Sequence, residues 1–144
     1  RCALQYLYQM DIQGEWGNLS RNLSMLRTQV LDLDEPEDES LVKRAWAFAE
    51  ALIRGVIEHR HELDERIGAC ATNWTVARMS AIDRNILRLT AYQLGYRDDV
   101  PPLTAVDEGV ELAKEFGHSD SSRFVNGVLD RLLKEHSAPG EESE

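Results

Sequence analysis

The sequence predicts an all-α protein, and three features of the chain support this fold class. Apolar residues recur at steps of three and four over several long segments, as they do on one face of a helix. Hydroxyl or acidic residues stand at the starts of some of these segments, where they can cap free backbone N–H groups. No stretch alternates polar and apolar residues with the period of two that a half-buried strand shows.

The N-terminal half is predicted to form helices separated by polar segments. The first helix covers residues 2–13 and stops at Gly14, and a weaker pattern follows over residues 19–30. The acidic segment 32–39 contains a proline and is expected to be a loop. A long helix then begins at Leu41, and a shorter one carries Leu63, Ile67 and Cys70. The expected core faces of the first and long helices are Ala3, Leu4, Leu7, Tyr8 and Ile12, and Leu41, Ala45, Phe48, Ala49, Leu52 and Val56, the latter widened by Trp46 and Ile53.

Three more helices are predicted in the last third, joined by short connectors. Ser80 and Asp83 have the spacing of a capping box, and Thr104 and Asp107 repeat it after a Pro-Pro pair that excludes helix. Gly117 ends the second of these helices, and Ser119 or Asp120 is expected to cap the third. Their core faces are Ile82, Ile86, Leu89 and Gln93; Val106, Val110, Ala113 and Phe116; and Val125, Val128, Leu129 and Leu132.

Composition indicates one soluble domain. The chain has 144 residues, 42% hydrophobic and 29% charged, without a run apolar enough to cross a membrane. Its net charge is −10, but ten acids lie in segments 32–39 and 135–144, and the other 16 match the 16 Lys and Arg. Nucleic acid is therefore not excluded as a partner. Cys2 and Cys70 are too few for a disulfide framework, which favours reduced thiols in the cytoplasm.

Motifs for catalysis, cofactors or metals are missing from the sequence. It has no glycine-rich phosphate loop, CxxC pair or HExxH motif. His59 and His61 are two residues apart and point to different sides of a helix, so they are expected to be surface residues rather than metal ligands. Cys70 has no base fixed beside it and is expected to be structural. We therefore expect no enzyme, no cofactor and no metal.

The segment FVNGVLD (124–130) is unusual for a helix interior. A glycine there costs about 1 kcal/mol relative to alanine. One interpretation is that Gly127 lets a neighbouring helix approach closely while Asn126 faces water. The other is that Arg123 and Phe124 stand at an exposed helix start, where free N–H groups bind phosphate and a ring stacks on a base.

Two other groups of polar residues are candidates for binding. Gln5 and Tyr8 are three residues apart on the first helix and therefore share a face. Charged residues also occupy the first turns of two successive helices, where capping and ordinary surface charge by themselves explain them better than binding does. These are Asp83, Arg84, Arg88, Asp107 and Glu108.

Several segments together resemble the NusB family of bacterial transcription antitermination factors. They are CALQYLYQ (2–9), AIDRNILRLTAYQLGY (81–96), DVPPLTAVDEGVELAKEFG (99–117) and SSRFVNGVLD (121–130). The resemblance implies two small helical bundles packed across each other, with about seven helices. It also implies a single RNA-binding domain over residues 1–134, followed by an acidic tail, 135–144, that is expected to be disordered.

The resemblance further implies partners and binding residues. NusB-like proteins bind the boxA element of nascent RNA together with the ribosomal protein NusE, and join other Nus factors on RNA polymerase, notably in ribosomal RNA operons. They occur as monomers or homodimers. By position, the implied RNA-binding residues are Arg1, Gln5, Tyr8, Asp120, Ser121, Arg123, Phe124 and Asn126. The implied NusE-binding residues are Asp83, Arg84, Arg88 and Glu108.

The chain departs from the family pattern in three places. Only Arg1 remains of the arginine-rich segment that usually precedes CALQ, Gln93 replaces a glutamate, and Asp107 and Gly109 replace an asparagine and an alanine. Two alternatives stay open. One is the NusB-like region of a ribosomal RNA cytosine methyltransferase, which would need a following α/β domain where this chain has an acidic tail. The other is a protein-only helical scaffold, which the net charge of −10 leaves open.

Overall fold

A computed structural model describes residues 2–14, 39–71 and 74–136, and the regular secondary structure in these ranges is all helical. Its six α-helices are α1 (Cys2–Gln13), α2 (Glu39–Glu58), α3 (Arg60–Cys70), α4 (Ala81–Tyr96), α5 (Pro102–Phe116) and α6 (Ser121–His136), with a 3-10 turn at Val76–Arg78. The predicted all-α fold is therefore confirmed.

The six helices form two small bundles, α1–α3 and α4–α6, and α4 joins them by packing against all five other helices. Ten residues of α4 are buried, and Ile86 and Leu87 are completely enclosed. Burying a large aliphatic side chain contributes roughly 1.5–3 kcal/mol. The position of α4 therefore decides where both bundles place their other helices.

Local sequence signals explain several of the helix ends. The Ser80 hydroxyl accepts a hydrogen bond from the Asp83 amide at 3.1 Å, so the predicted cap of α4 forms. Gly14 ends α1 with a φ of 69°, in the left-handed region that favours glycine. Gly117 ends α5, as predicted.

The predicted start of α5 was wrong. The helix begins at Pro102, with Pro101 before it, so Thr104 already lies inside the first turn and does not cap the helix. The physical reason is that proline lacks an N–H group, and the first N–H groups of a helix have no intrahelical partner anyway. A proline pair therefore starts this helix rather than excluding it.

The predicted core faces are correct for α6 and partly wrong for α1 and α2. Val125, Val128, Leu129 and Leu132 are all buried. On α1, however, Ile12 is 58% exposed, and Tyr6 and Met10 are buried instead. On α2, Ala45 and Phe48 are exposed, while Trp46 and Ile53 are buried. Both helices carry overlapping apolar stripes, and periodicity alone does not show which stripe meets the neighbouring helices.

Some predictions fall on residues outside the described ranges. These are the weak helix at 19–30 and most of the acidic segment 32–39, whose last residue, Glu39, begins α2. At the C-terminus, α6 continues through Glu135 to His136, past the predicted start of the tail. Residues 137–144 lie beyond the described part of the chain.

A network of charged and amide side chains connects α1, α3 and α4. The Asp11 carboxylate accepts hydrogen bonds from Arg84 at 2.5 and 2.7 Å, from Asn85 at 2.8 Å and from Arg88 at 3.2 Å. Arg88 also donates to both carboxylate oxygens of Asp64, at 2.7 and 2.9 Å. We call Asp11, Asp64, Arg84, Asn85 and Arg88 the interhelical ion network.

The centre of the network is shielded from solvent. Only 6% of the Arg88 side chain and 10% of the Asp11 side chain are exposed. Burial acts to raise the pKa of Asp11, but hydrogen bonds from Arg84 and Asn85 and the positive charges of Arg84 and Arg88 outweigh it, so the pKa lies below its ordinary value. A buried ion pair adds little net stability, whereas removing one partner is costly. The network therefore sets helix positions more than it drives folding.

We expect Asp11→Asn to lower the free energy of unfolding by about 3 kcal/mol near neutral pH, because Arg84 loses its carboxylate partner and Arg88 keeps only that of Asp64. The folded-state pKa of Asp11 lies below 3.8, so its charge contributes stability above pH 3.8 and loses that contribution as the pH falls through the folded-state pKa. Urea unfolding should show the difference between the two proteins shrinking below pH 3.8. As a control, Asp99→Asn removes the carboxylate of a pair with Arg97 in which the Asp99 side chain is 51% exposed. Equal effects of the two variants at every pH would contradict this account.

Candidate nucleic-acid interface

The start of α6 lies open to solvent. Asp120, Arg123 and Asn126 are exposed, and the Phe124 amide closes the first helical turn by donating to the Asp120 carbonyl at 3.1 Å. The first turn of any helix presents N–H groups that lack intrahelical partners. This end of α6 can therefore offer amides, a guanidinium and a side-chain amide to a ligand.

Ser121 differs from the other predicted contacts because its side chain faces inward. It is only 2% exposed, and its hydroxyl accepts a hydrogen bond from the His118 amide at 2.8 Å. Gly117 permits this tight turn, since a Cβ at that position would lie 2.5 Å from the Ser121 side chain. In this conformation the Ser121 hydroxyl therefore shapes the turn that precedes α6.

Phe124 is half-buried and borders two cavities. Its inner part packs against the core, and its outer part lines a cavity of about 350 Å³ beside the start of α4, together with Asp83, His118 and Asp120. The second cavity, of about 320 Å³, follows α6 towards Gly127. The ring is thus firmly held and still reachable from solvent.

Trp74 lines both of these cavities and was not singled out from the sequence. It lies just before the 3-10 turn at Val76–Arg78, and 52% of its surface is exposed. The available signal was a tryptophan in the polar segment TNWT, between two helical patterns. Its proximity to Phe124 depends on how α3 packs against α6, which no local pattern reveals.

Gly127 is exposed and leaves open space above the helix. A Cβ added there would meet no heavy atom of the described residues within 4 Å. Among the described residues, therefore, no neighbouring helix uses this glycine for a close approach. Gly109 on α5 does play that part, since its Cβ would lie 2.6 Å from the Thr90 hydroxyl and 3.0 Å from Leu129.

The candidates on α1 are linked to this region through the start of α4. Gln5 is exposed and Tyr8 is half-buried, while Arg1 is outside the described residues. Tyr8 lies one turn before Asp11, whose carboxylate holds Arg84 in the first turn of α4. The start of α4 in turn borders the cavity beside Phe124. The start of α4 therefore contacts the second half of α1 and also borders the cavity beside Phe124.

The residues expected at a protein partner are mostly inside the molecule. Asp83 and Arg88 are only 8% and 5% exposed, and Arg84 is half-buried. The expectation that these charges form an exposed surface is wrong, because Arg84 and Arg88 pair with Asp11 and Asp64 across helices. Glu108 alone of the predicted set is exposed. It lines a groove of about 410 Å³ with an apolar floor and an acidic rim that includes Asp107, Glu111 and Glu115.

The cysteine and histidine candidates have structural surroundings. Cys70 is buried and its thiol donates to Glu135 at 3.4 Å; burial, with this hydrogen bond and the nearby negative charge, raises its pKa to about 11. His59 stacks on Tyr96 with ring centroids 4.1 Å apart. Within the described residues, no group of three or more His, Cys, Asp or Glu could hold a metal ion. None of the helices in these ranges is long and apolar enough to span a membrane.

The fold and this surface define a class: all-helical, two-bundle proteins whose last helix begins beside an open, aromatic-lined groove. A family model described as the NusB family matches residues 1–134. The chain belongs to the NusB family.

Individual relatives agree with this assignment. The transcription antitermination protein NusB of Symbiobacterium thermophilum is 43% identical over 134 residues, covering 92% of this chain and 84% of the relative. The protein of the same name from Geobacter sulfurreducens is 39% identical over 130 residues, covering 90% and 87%. Among solved structures, NusB of T. maritima matches with a TM-score of 0.79 and 32% identity, covering 99% of this chain and 93% of that one. A structure of antitermination factors NusB and NusE in complex with dsRNA matches with a TM-score of 0.73 and 25% identity, covering 93% and 92%.

We expect Gly127→Ala to raise the free energy of unfolding by about 1 kcal/mol, because alanine favours helix and its methyl group meets open space. Urea unfolding at neutral pH measures the change. Gly109→Ala is the matched control on α5, and it should destabilise the protein because Thr90 and Leu129 stand in the way. A loss of stability in Gly127→Ala would show that something packs against this position.

Proposed function

We propose that the protein is a transcription antitermination factor that binds boxA-containing single-stranded RNA together with the ribosomal protein NusE. It would help to assemble the antitermination complex of RNA polymerase and other Nus factors, notably in ribosomal RNA operons. The names of its relatives and the matching structure of NusB and NusE with dsRNA support this proposal. It includes a binding role without catalysis, in the cytoplasm, for a domain over residues 1–134 with an acidic tail after it.

The open start of α6 is the observation that carries the proposal. Stacking a base on an aromatic ring is worth about 1–3 kcal/mol, and Phe124 is both fixed by the core and accessible. Arg123 supplies a positive charge for phosphate, and Asn126 supplies amide groups for a base edge. Proteins read RNA sequence mainly on unpaired bases, whose edges such a surface can reach.

The remaining RNA contacts of the proposal lie around this centre. Gln5 and Tyr8 would extend the surface along α1, with Arg1 preceding them. Asp120 would act at the exposed helix start, and Ser121 would contribute through the shape of its turn. An acidic protein needs such a local arrangement, because its net charge of −10 repels phosphate at long range.

We assign the NusE contact to the acidic-rimmed groove that contains Glu108. Its apolar floor includes Phe48 and Leu52, and Phe48 is 40% exposed. Apolar surface at the centre with charges at the rim is typical of protein interfaces. The buried Asp83, Arg84 and Arg88 would support this surface from below by fixing α4, rather than contact NusE directly.

Phe124→Ala is expected to weaken RNA binding by roughly 1–3 kcal/mol, because a stacking ring is lost. Fluorescence titration of a boxA oligonucleotide, with and without NusE, measures the affinity, and circular dichroism confirms the fold. Phe48→Ala, an exposed ring on α2, is the control and should leave the affinity for RNA alone unchanged. If Phe124→Ala unfolds the protein while its folded fraction binds RNA normally, the ring serves the core and not the RNA.

Glu108→Lys is expected to weaken NusE binding about tenfold, because it reverses a charge at the rim of the proposed interface. Calorimetric titration with NusE measures the effect, and RNA binding in the absence of NusE should not weaken. Glu58→Lys makes the same charge change at an exposed position on α2 outside the lining of this groove. Equal NusE affinity for all three proteins would place the partner elsewhere.

A further inference from the structure

We infer that the RNA-binding surface continues along α6 into a second stacking position formed by Trp74, with Gly127 as its floor. We call this the Trp74 groove, and it is lined by Cys70, Trp74, Arg123, Phe124, Gly127 and Arg131. The inference rests on the proposed function, and it names the additional residues that would receive the strand.

The exposure of Trp74 is the first observation. Tryptophan usually buries most of its large apolar surface, as Trp46 does here at 7% exposure. Trp74 instead leaves 52% of its surface in water, at the edge of both cavities that Phe124 borders. Two accessible rings along one groove can stack bases of one strand, as aromatic platforms in single-strand binding proteins do.

Gly127 is the second and independent observation. In a helix interior glycine lowers stability, and here no close packing of the described residues requires it. Its exposed backbone lies one turn after Phe124 on the floor of the Trp74 groove. The absent side chain leaves room for a strand to approach the helix backbone closely, which explains a residue that the helix itself does not favour.

The charges around the groove are the third observation. Arg78 borders the cavity beside Trp74, and Arg123 and Arg131 line the groove itself. Arg131 donates to the Cys70 carbonyl at 3.1 Å, which holds its guanidinium at the groove wall. The neighbouring acid Asp130 is paired with Lys134 at 3.1 Å. Three arginines beside two rings suit phosphates that alternate with bases, so we assign the groove to single-stranded RNA rather than to a protein.

The test compares Trp74→Ala, Trp74→Phe and the control Tyr96→Ala in titrations with a boxA oligonucleotide, with circular dichroism to confirm folding. Tyr96 is an exposed ring at the end of α4, outside both cavities that Phe124 borders. We expect Trp74→Ala to bind about tenfold more weakly or worse, Trp74→Phe to keep most of the affinity, and Tyr96→Ala to match the wild type. RNA should also quench the tryptophan fluorescence of the wild type. This quenching should be much smaller in Trp74→Phe.

Gly127→Ala provides a second measurement that a stability defect cannot imitate. It should weaken RNA binding several-fold although it stabilises the fold, because its methyl group enters the path of the strand. Wild-type affinity in both Trp74→Ala and Gly127→Ala, with Phe124→Ala impaired, would overturn the inference and leave the proposed function standing. Loss of NusE binding in Trp74→Ala with normal RNA affinity would also overturn it. Absence of RNA binding by the wild type, with or without NusE, would instead refute the proposed function.

Discussion

The interhelical ion network is the constraint on which the arrangement of this protein depends. Apolar burial supplies most of the folding free energy, but it is not directional. The carboxylates of Asp11 and Asp64 and the guanidinium of Arg88 have fixed geometry, and they place α1 and α3 relative to α4. Because α4 packs against all five other helices of the described residues, its position decides where α6 begins. The interhelical ion network between α1, α3 and α4 thus helps to position the candidate binding surface at the start of α6.

The surface itself combines rigidity with access. Phe124 is held by the core, Ser121 is locked in a tight turn, and Arg131 is tied to the Cys70 carbonyl. A ligand would therefore meet groups that need little ordering, which lowers the entropic cost of binding. This matters for a protein with a net charge of −10, whose long-range field opposes RNA and whose affinity must come from short-range contacts.

Local patterns predicted the helices well, because capping and periodicity are encoded within a few residues. The cap at Ser80, the stop at Gly14 and the buried face of α6 are examples. Long-range contacts were not predictable in this way. Arg88 reads as a surface charge, yet its partner Asp11 lies 77 residues away in the chain.

The same difference between local patterns and long-range contacts applies to the candidate site. Phe124, Arg123 and Asn126 could be found from the odd composition of one helix start and from a family resemblance. Trp74 could not, because its place beside Phe124 arises from the packing of two helices that are distant in sequence. Gly127 is conspicuous in the sequence. Only the structure shows that the space above it is empty of other described residues, which favours a binding role over contact with a neighbouring helix.

The most direct test of the central claim, that the open start of α6 binds RNA, is amide hydrogen exchange with and without a boxA oligonucleotide. The account predicts slower exchange on RNA binding at residues 118–127, with much smaller changes over α2. Protection that appears only on other helices, with exchange at the start of α6 unchanged, would contradict it.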